Sequence, residues 1–206
     1  KDLAAIALRP EKTYTDNNIE LLKNTEVTAI HSEDQVIETS DGQRLNYKKL
    51  VLCTGAEARQ LPQLASVGNA FTVRQATDID AMKAALEQGA KRVVIMGGGY
   101  IGLEAAAVLN GLGCEVTVVE AAERLLERVT GPEMSEFIQA LHQAHGVNVI
   151  TAAMVEEFNL NDAGDTVERV QCSNGTTLDL DMLIVGIGAN PSVTLAMEAG
   201  LNVVNG

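Results

Sequence analysis

The chain has 206 residues, of which 46% are hydrophobic, so it is long enough for one large or two small domains with a buried core. Its 28 acidic residues against 15 Lys and Arg give a formal charge of −13. This charge argues against nucleic acid or an anionic membrane as a partner, because both bind a basic face. No apolar run approaches the roughly 20 residues that cross a membrane, and no secretory pattern opens the sequence. We expect a cytoplasmic protein.

The cysteines fit a reducing compartment. Cys53, Cys114 and Cys172 are odd in number, far apart and without a C-x-x-C pair. Each lies in or beside an apolar run, so we expect buried, unreactive thiols rather than a redox pair.

The first 60 residues predict a short helix and several strands. Thr15 or Asp16 is the expected N-cap of a helix that continues through Leu22. Strands are predicted at 27–30, 35–39 and 44–46, with a hairpin turn at 40–43.

The apolar run Leu50–Cys53 predicts a further strand that ends at Thr54 and Gly55. Two interpretations of this turn stay open. It is either a plain strand end or a place where backbone approaches a ligand, with the Thr54 hydroxyl and the Arg59 guanidinium near phosphate oxygens. Residues 61–73 are expected to cross between domains.

The segment 92–120 organises the chain. A buried strand at 93–96 precedes G-x-G-x-x-G at Gly97, Gly99 and Gly102. In a dinucleotide site the first glycine permits a tight turn, the second lets backbone approach the pyrophosphate, and the third lets the helix pack on the strand. The alternative is a glycine-rich turn in a core, but the order of strand, glycines, helix, strand and acid favours a dinucleotide.

The helix after these glycines is apolar nearly all round, which predicts burial on every side, and its N-terminus is expected to face the phosphates. After the next strand, at 116–119, Glu120 lies about 20 residues beyond the glycines, where a carboxylate accepts hydrogen bonds from ribose hydroxyls. It would repel a 2′-phosphate, so NADH is favoured over NADPH.

Two more helices and several strands flank this unit. Ala76–Gln88 predicts a helix with Ile79, Met82, Ala85 and Leu86 inward. Pro132 predicts the first turn of another, whose inner stripe is Met134, Phe137, Ile138 and Leu141.

Strands are predicted at 147–150, three times within 152–178, at 181–185 and at 201–204, and Ser192 is the expected cap of a final helix. His142 and His145 have no third ligand in view, and His31 is isolated, so no metal site is predicted.

Three segments in this order resemble flavoproteins of the pyridine nucleotide-disulfide reductase superfamily: Leu52–Gly55, the GGGYIGLE turn at Gly97–Glu104, and Val185–Pro191. The branch of NADH-dependent ferredoxin and rubredoxin reductases is the most similar. The resemblance implies an α/β fold in which a Rossmann-like three-layer NAD domain, with a parallel sheet and an antiparallel β-meander, is inserted into a partial FAD domain. The implied boundaries are 1–63 for FAD, 64–185 for NAD, and 186–206 for the return to the FAD domain.

The resemblance also implies cofactors, FAD and NAD(H), and the residues that hold them. Those implied for FAD are Val27 at the adenine, and Cys53, Thr54, Gly55 and Arg59 along the dinucleotide; Cys53 stands where the family usually has Ala. Those implied for NAD are Gly97, Gly98, Gly99, Tyr100, Ile101, Gly102, Glu120 and Arg128, with Glu104, Gly186, Ile187 and Gly188 near the nicotinamide. Glu104 is the one residue with an implied catalytic role, placing the nicotinamide.

The activity implied is hydride transfer from NADH to FAD, followed by electron transfer to a small iron–sulfur or rubredoxin-type carrier protein. The alternatives are the flavin module of an NADH-dependent nitrite reductase, a disulfide or coenzyme A disulfide reductase, an NADH oxidase, or a nucleotide-binding redox sensor without turnover. We expect the chain to be a fragment of a longer protein and inactive by itself. A homodimer is compatible with the sequence.

Overall fold

The structure is a computed structural model that describes residues 7–204. It divides into two compact units, one formed by Ala58–Ala189 and the other by Lys1–Glu57 with Asn190–Gly206. Five α-helices lie in the described part of the chain: α1 (Glu11–Asp16), α2 (Ala76–Glu87), α3 (Tyr100–Gly111), α4 (Pro132–Ala144) and α5 (Thr194–Glu198).

The strands of the described part are short. In chain order they are β1 (Val27–His31), β2 (Val36–Thr39), β3 (Arg44–Asn46), β4 (Ala56–Ala58), β5 (Ala70–Phe71), β6 (Arg92–Met96), β7 (Glu115–Val119), β8 (Asn148–Ile150), β9 (Val155–Leu160), β10 (Val167–Cys172), β11 (Thr177–Asp179), β12 (Met182–Val185) and β13 (Ala189–Pro191). A 3₁₀ turn at Pro62–Leu64 precedes β5.

The larger unit is built on a parallel sheet of five strands in the order β5-β12-β6-β7-β8. Successive side chains along each strand point to opposite faces of the sheet. On one face Val93 and Ile95 of β6 form a core with Leu103 and Leu109 of α3, which is called the helical core below. On the other face Val94 joins a second core that the meander covers. The sheet therefore lies between a helical layer and a β layer, which explains its continuous apolar strands.

The meander β9-β10-β11 is antiparallel and contributes Val167, Val170 and Cys172 to the second core. Its three strands confirm the prediction for 152–178, and its turns are closed by bonds from Gly164 N–H to Asn161 O and from Gly175 N–H to Cys172 O. In the smaller unit β1, β2 and β3 form a second antiparallel sheet, as predicted. Strands β4 and β13 pair, and the bounds of the two units fall within them.

The prediction for the first helix is wrong. The helix begins at Glu11, directly after Pro10, and it ends before Asn18, which adopts a left-handed φ of 55°. Ile19, Leu21 and Leu22, the apolar residues on which the prediction rested, are exposed coil. The proline at the start and the left-handed asparagine at the end bound the helix.

The predicted strand at Leu50–Cys53 is also absent. These residues are coil, and the strand of this region is β4, which begins at Ala56. Val51 is 81% exposed and Cys53 is exposed, so the expectation of three buried thiols holds only for Cys114 and Cys172. An apolar run becomes a strand only where a neighbour accepts its backbone hydrogen bonds.

Helices α3 and α4 are buried less than predicted. In α3 the residues that face the sheet are buried, whereas Val108 and Leu112 are 62% and 66% exposed, because the sheet covers only one side of the helix. In α4 three residues of the predicted inner stripe, Met134, Phe137 and Leu141, are exposed, whereas the fourth, Ile138, packs against the core as predicted. Ser135 is the residue of α4 that is fully buried.

Smaller corrections concern α2 and the C-terminal segment. Ile79 of α2 is exposed, whereas Met82 is buried as predicted. The residue at the N-cap of α5 is Val193, not Ser192, and residues 201–204 do not form a strand. Among the described residues no helix has the length and apolar character needed to traverse a bilayer.

Candidate functional site

The site lies at the carboxyl edge of the parallel sheet. From β6 the sheet continues through β7 and β8 on one side, whereas the later strand β12 pairs with β6 on its other side. The strand order therefore reverses between β6 and β12. In open α/β sheets ligands bind outside the carboxyl ends of strands at such a reversal. A cleft of about 710 Å³ opens there. The residues that line it are Met96, Gly97, Gly98, Gly99, Tyr100, Ile101, Val119, Glu120, Ala121, Ala122, Leu126, Glu127, Arg128, Val129, Ala153, Met154, Val155, Ile187 and Gly188.

The three motif glycines differ in what surrounds them. Gly97 has φ +105°, and a Cβ there would overlap the carbonyl of Gly186. A Cβ on Gly102 would overlap the Gly97 carbonyl and press on Ile95. Gly99 has no atom within 4 Å of the position of a Cβ. The first and third glycines thus close the packing of strand and helix, and the second borders open space, as an approaching pyrophosphate requires.

Helix α3 points its N-terminus into this open space. Its first backbone bond is Leu103 N–H to Gly99 O at 3.0 Å, so the N–H groups of Tyr100, Ile101 and Gly102 have no partner within the helix. Aligned peptide dipoles add partial positive charge at this end. The arrangement fits the two phosphates of a dinucleotide without a basic side chain.

Glu120 ends β7 and is held in a fixed orientation. Its Oε2 accepts the Gly98 N–H at 2.6 Å, and its Oε1 accepts the Ala122 N–H at 2.8 Å. Its backbone bonds Ile150 O and Ala153 N–H in the next strand and loop. The carboxylate is thereby fixed beside the glycine turn, with a further lone pair on each oxygen for a ribose hydroxyl.

The loop of residues 121–131 forms the wall beyond Glu120. Leu125 is 0% exposed and belongs to the helical core, while Leu126 has a left-handed φ of 54° and donates its N–H to Gly98 O at 3.0 Å. Arg128 is exposed on the cleft side of the loop. A buried leucine and a backbone bond to the glycine turn therefore anchor the loop that carries Arg128.

Two residues predicted near the nicotinamide do not line this cleft. Glu104 is exposed on α3, one turn beyond Tyr100. Gly186 donates its N–H to Met96 O, and Ile187 and Gly188 are the residues of its turn that reach the cleft. The positioning role of Glu104 stays a prediction.

Of the residues predicted for FAD, Cys53, Thr54 and Gly55 directly precede β4, and Arg59 directly follows it. Thr54 Oγ1 donates to Ser192 O at 2.6 Å, and Ser192 N–H donates to Gly55 O at 3.0 Å, with Gly55 at φ +75°. Arg59 N–H bonds Gly188 O at 2.9 Å. Val27 begins β1 and is half-buried. The Thr54 hydroxyl is thus directed to backbone, and FAD contacts at these residues stay predictions.

No metal centre appears in the described part of the chain, since no group of three or more His, Cys, Asp or Glu side chains could hold an ion. The ring nitrogens of His142 lie 3.0 Å from Ile138 O and 3.2 Å from Leu103 O, so this side chain joins α4 to α3. Burial raises the pKa of the Cys114 and Cys172 thiols, which agrees with unreactive side chains.

Sequence reasoning missed part of the cleft. Ala153, Met154 and Val155 follow β8, whose carboxyl end shares the edge with β6 and β7. The parallel strand order predicts that residues following β8 lie at this edge, so it could have identified them. In the wall at Leu126–Val129 Arg128 was predicted, from the family resemblance. No pattern indicated its neighbours, because their position depends on the left-handed turn at Leu126.

The chain is similar to known proteins over nearly its whole length. The sequence profile of the pyridine nucleotide-disulphide oxidoreductase family matches residues 3–206. A 5,5'-dehydrodivanillate O-demethylase ferredoxin reductase subunit of Sphingobium sp. (strain NBRC 103272 / SYK-6) is 42% identical over 98% of this chain and 48% of its own length. A rubredoxin-NAD(+) reductase of Pseudomonas putida is 37% identical over 98% of this chain and 52% of its own.

Among solved structures, the covalent putidaredoxin reductase–putidaredoxin complex matches with a TM-score of 0.90 and 38% identity, over 100% of this chain and 50% of the other. The chain therefore spans about half the length of the relatives it matches. The family profile covers nearly every residue, and the chain belongs to the pyridine nucleotide-disulphide oxidoreductase family.

Proposed function

We propose that the protein containing this chain transfers hydride from NADH to FAD and passes the electrons to a ferredoxin or rubredoxin-type carrier. Members of the family use FAD and NAD(H), and the chain is homologous to ferredoxin and rubredoxin reductases. The observation that carries the proposal is the cleft at the carboxyl edge, where open space beside Gly99 adjoins the N-terminus of α3 and an oriented Glu120. Bound flavin would supply the conversion from a two-electron donor to a one-electron acceptor.

The unit Ala58–Ala189 is proposed as the NAD domain, expected from the sequence at 64–185. In it the first-turn N–H groups of α3 would bind the pyrophosphate, and Glu120 would accept the ribose hydroxyls. Arg128 would contact the adenosine half, and Tyr100, Ile101 and the Ile187–Gly188 turn would border the nicotinamide. These residues bind and orient the donor, which is most of what hydride transfer requires of a protein.

Val27, Cys53, Thr54, Gly55 and Arg59 are proposed to contribute to the FAD site. A small iron–sulfur or rubredoxin-type protein is the proposed electron acceptor. Two relatives support it: one is a rubredoxin-NAD(+) reductase, and one matched structure is a reductase in complex with putidaredoxin.

A steady-state assay of the full-length parent protein tests the choice of acceptor. With NADH as donor, we expect turnover with a ferredoxin or rubredoxin and little turnover with coenzyme A disulfide or glutathione disulfide. Faster reduction of a disulfide than of either carrier protein would contradict the proposal and favour a thiol reductase.

A further inference from the structure

We infer that Arg124 is a positioning residue for the adenosine half of the dinucleotide, acting from behind the cleft wall. This inference rests on the proposed function, since it concerns how the same cleft holds NADH. Arg124 is half-buried and is not among the residues that line the cleft. Its proposed role depends on the hydrogen bonds that it donates to the loop 121–131.

The guanidinium of Arg124 binds the loop 121–131 from inside. Its Nη1 donates to Thr130 O and its Nη2 donates to Glu127 O, at 2.8 and 2.9 Å. These carbonyls lie on either side of Arg128 and Val129, which face the cleft. One planar cation thus satisfies two carbonyls of an irregular loop, a geometry that the fork of an arginine provides and a lysine ammonium does not.

Ser135 connects this contact to the rigid part of the fold. The residue is 1% exposed, and its hydroxyl accepts a bond from Arg124 Nη1 at 2.8 Å and donates to Leu125 O at 2.6 Å. Ser135 lies in the first turns of α4, and Leu125 is in the helical core. The chain of bonds therefore runs from α4 and the core, through Arg124, to the segment Glu127–Thr130.

The same loop is also tied to the glycine turn. Leu126 donates its N–H to Gly98 O, and Gly98 in turn bonds the Glu120 carboxylate. The left-handed φ of 54° at Leu126 is a costly conformation for a leucine, so its surroundings must hold it. The Arg124–Ser135 network is a set of contacts that can do so. Without it the loop would sample other conformations, and a ligand would have to order it on binding.

The expected consequence is a loss of affinity for the adenosine half with little effect on hydride transfer. In the full-length flavin-loaded protein, Arg124→Ala should raise the Kd for ADP-ribose and the KM for NADH by about tenfold, equivalent to ~1.4 kcal/mol. The kcat at saturating NADH should stay within about twofold, since the nicotinamide end of the cleft is unchanged. Flavin reduction by reduced nicotinamide mononucleotide, which lacks the adenosine half, should not change.

Two further variants complete the test. Ser135→Ala removes the hydroxyl that joins Arg124 to Leu125 O and should show the same pattern. Arg169→Ala is the matched control, because Arg169 is an exposed arginine of β10 in the same unit that pairs with Asp179 and lies outside the cleft. Millimolar guanidinium added to Arg124→Ala should restore part of the ADP-ribose affinity, a rescue that a folding defect would not show.

The inference fails if Arg124→Ala binds ADP-ribose as tightly as the wild type, or if kcat and the mononucleotide rate fall in parallel with the affinity. If Arg124→Ala does not fold, Arg124→Lys replaces it, since it keeps the charge but cannot reach both carbonyls. A wild type that binds neither NADH nor ADP-ribose would instead overturn the proposed function. If the wild type binds NADH normally and the Arg124 variants bind it with the same affinity, the inference is overturned and the proposed function is not.

Discussion

Two apolar runs of similar composition behave differently in this chain. Val93–Met96 of β6 is paired on both sides, by β7 and β12, and all four residues are buried. Leu50–Cys53 is coil, with Val51 81% exposed. Both runs predict a strand from composition alone. The difference shows that a continuous apolar run specifies a buried strand only together with neighbours that pair with it and cover both faces.

The largest expected effect comes from truncating the paired run. Ile95 is 0% exposed and lies in the helical core, so Ile95→Ala should lower the free energy of unfolding of the 206-residue chain by about 4 kcal/mol. Val51→Ala should change it by less than about 0.5 kcal/mol, because this side chain already faces solvent. Urea titration measures both. Equal losses would mean that Leu50–Cys53 is buried in solution.

The packing of α3 on β6 can be tested at a glycine. Gly102→Ala would place a Cβ on the Gly97 carbonyl and should cost on the order of 3 kcal/mol of unfolding free energy. Gly111→Ala, in the same helix with nothing within 4 Å, is the control and should be neutral or stabilising by up to about 1 kcal/mol. A neutral Gly102→Ala would contradict the close contact of helix and strand.

Cofactor preference should follow the charge at the end of β7. Replacing Glu120 by Ala and the exposed Ala121 by Arg should shift the preference from NADH toward NADPH by about tenfold, because a repulsive carboxylate is lost and a phosphate partner is gained. Binding titrations of the full-length protein with both nucleotides measure the shift. An unchanged ratio would exclude Glu120 from the ribose site.

The smallest expected effect concerns the opposite edge of the sheet. Arg92 hydrogen-bonds Asp181 at 2.6 Å, and with the backbone N–H groups of Lys91 and Arg92 it lowers the pKa of that carboxyl to about 2 from 3.8. A lowered folded pKa stabilises the fold above the unfolded pKa, and this contribution is lost as the pH falls from about 4 toward 2.

Asp181→Asn should therefore lower the free energy of unfolding by about 1 kcal/mol at neutral pH, and by less at pH 2. Denaturant titrations at the two pH values measure this. A loss of the same size at both would contradict the assigned cause.

The sequence predicted the central β-α-β closely, because strand, glycines and helix each carry a local signal. The exposed face of α4 could not be predicted, because an apolar Phe137 suggests burial and a polar Ser135 suggests exposure, whereas the structure shows the reverse. The buried hydroxyl of Ser135 is satisfied by Arg124 and by Leu125 O, which are tertiary contacts that a local pattern does not contain. The coil at Leu50–Cys53 depends on pairing, which a local pattern does not contain.

The most direct test of the central claim is an anaerobic titration of the full-length parent protein with NADH, followed by the visible absorbance of its flavin. The same titration is made on Gly99→Ala, whose Cβ would enter open space in the cleft without touching the protein. We predict that NADH bleaches the wild-type flavin and that the variant needs at least about tenfold more NADH for the same bleaching. A wild-type flavin that NADH does not bleach, or a variant that bleaches at the same concentration, would contradict the assignment of this cleft.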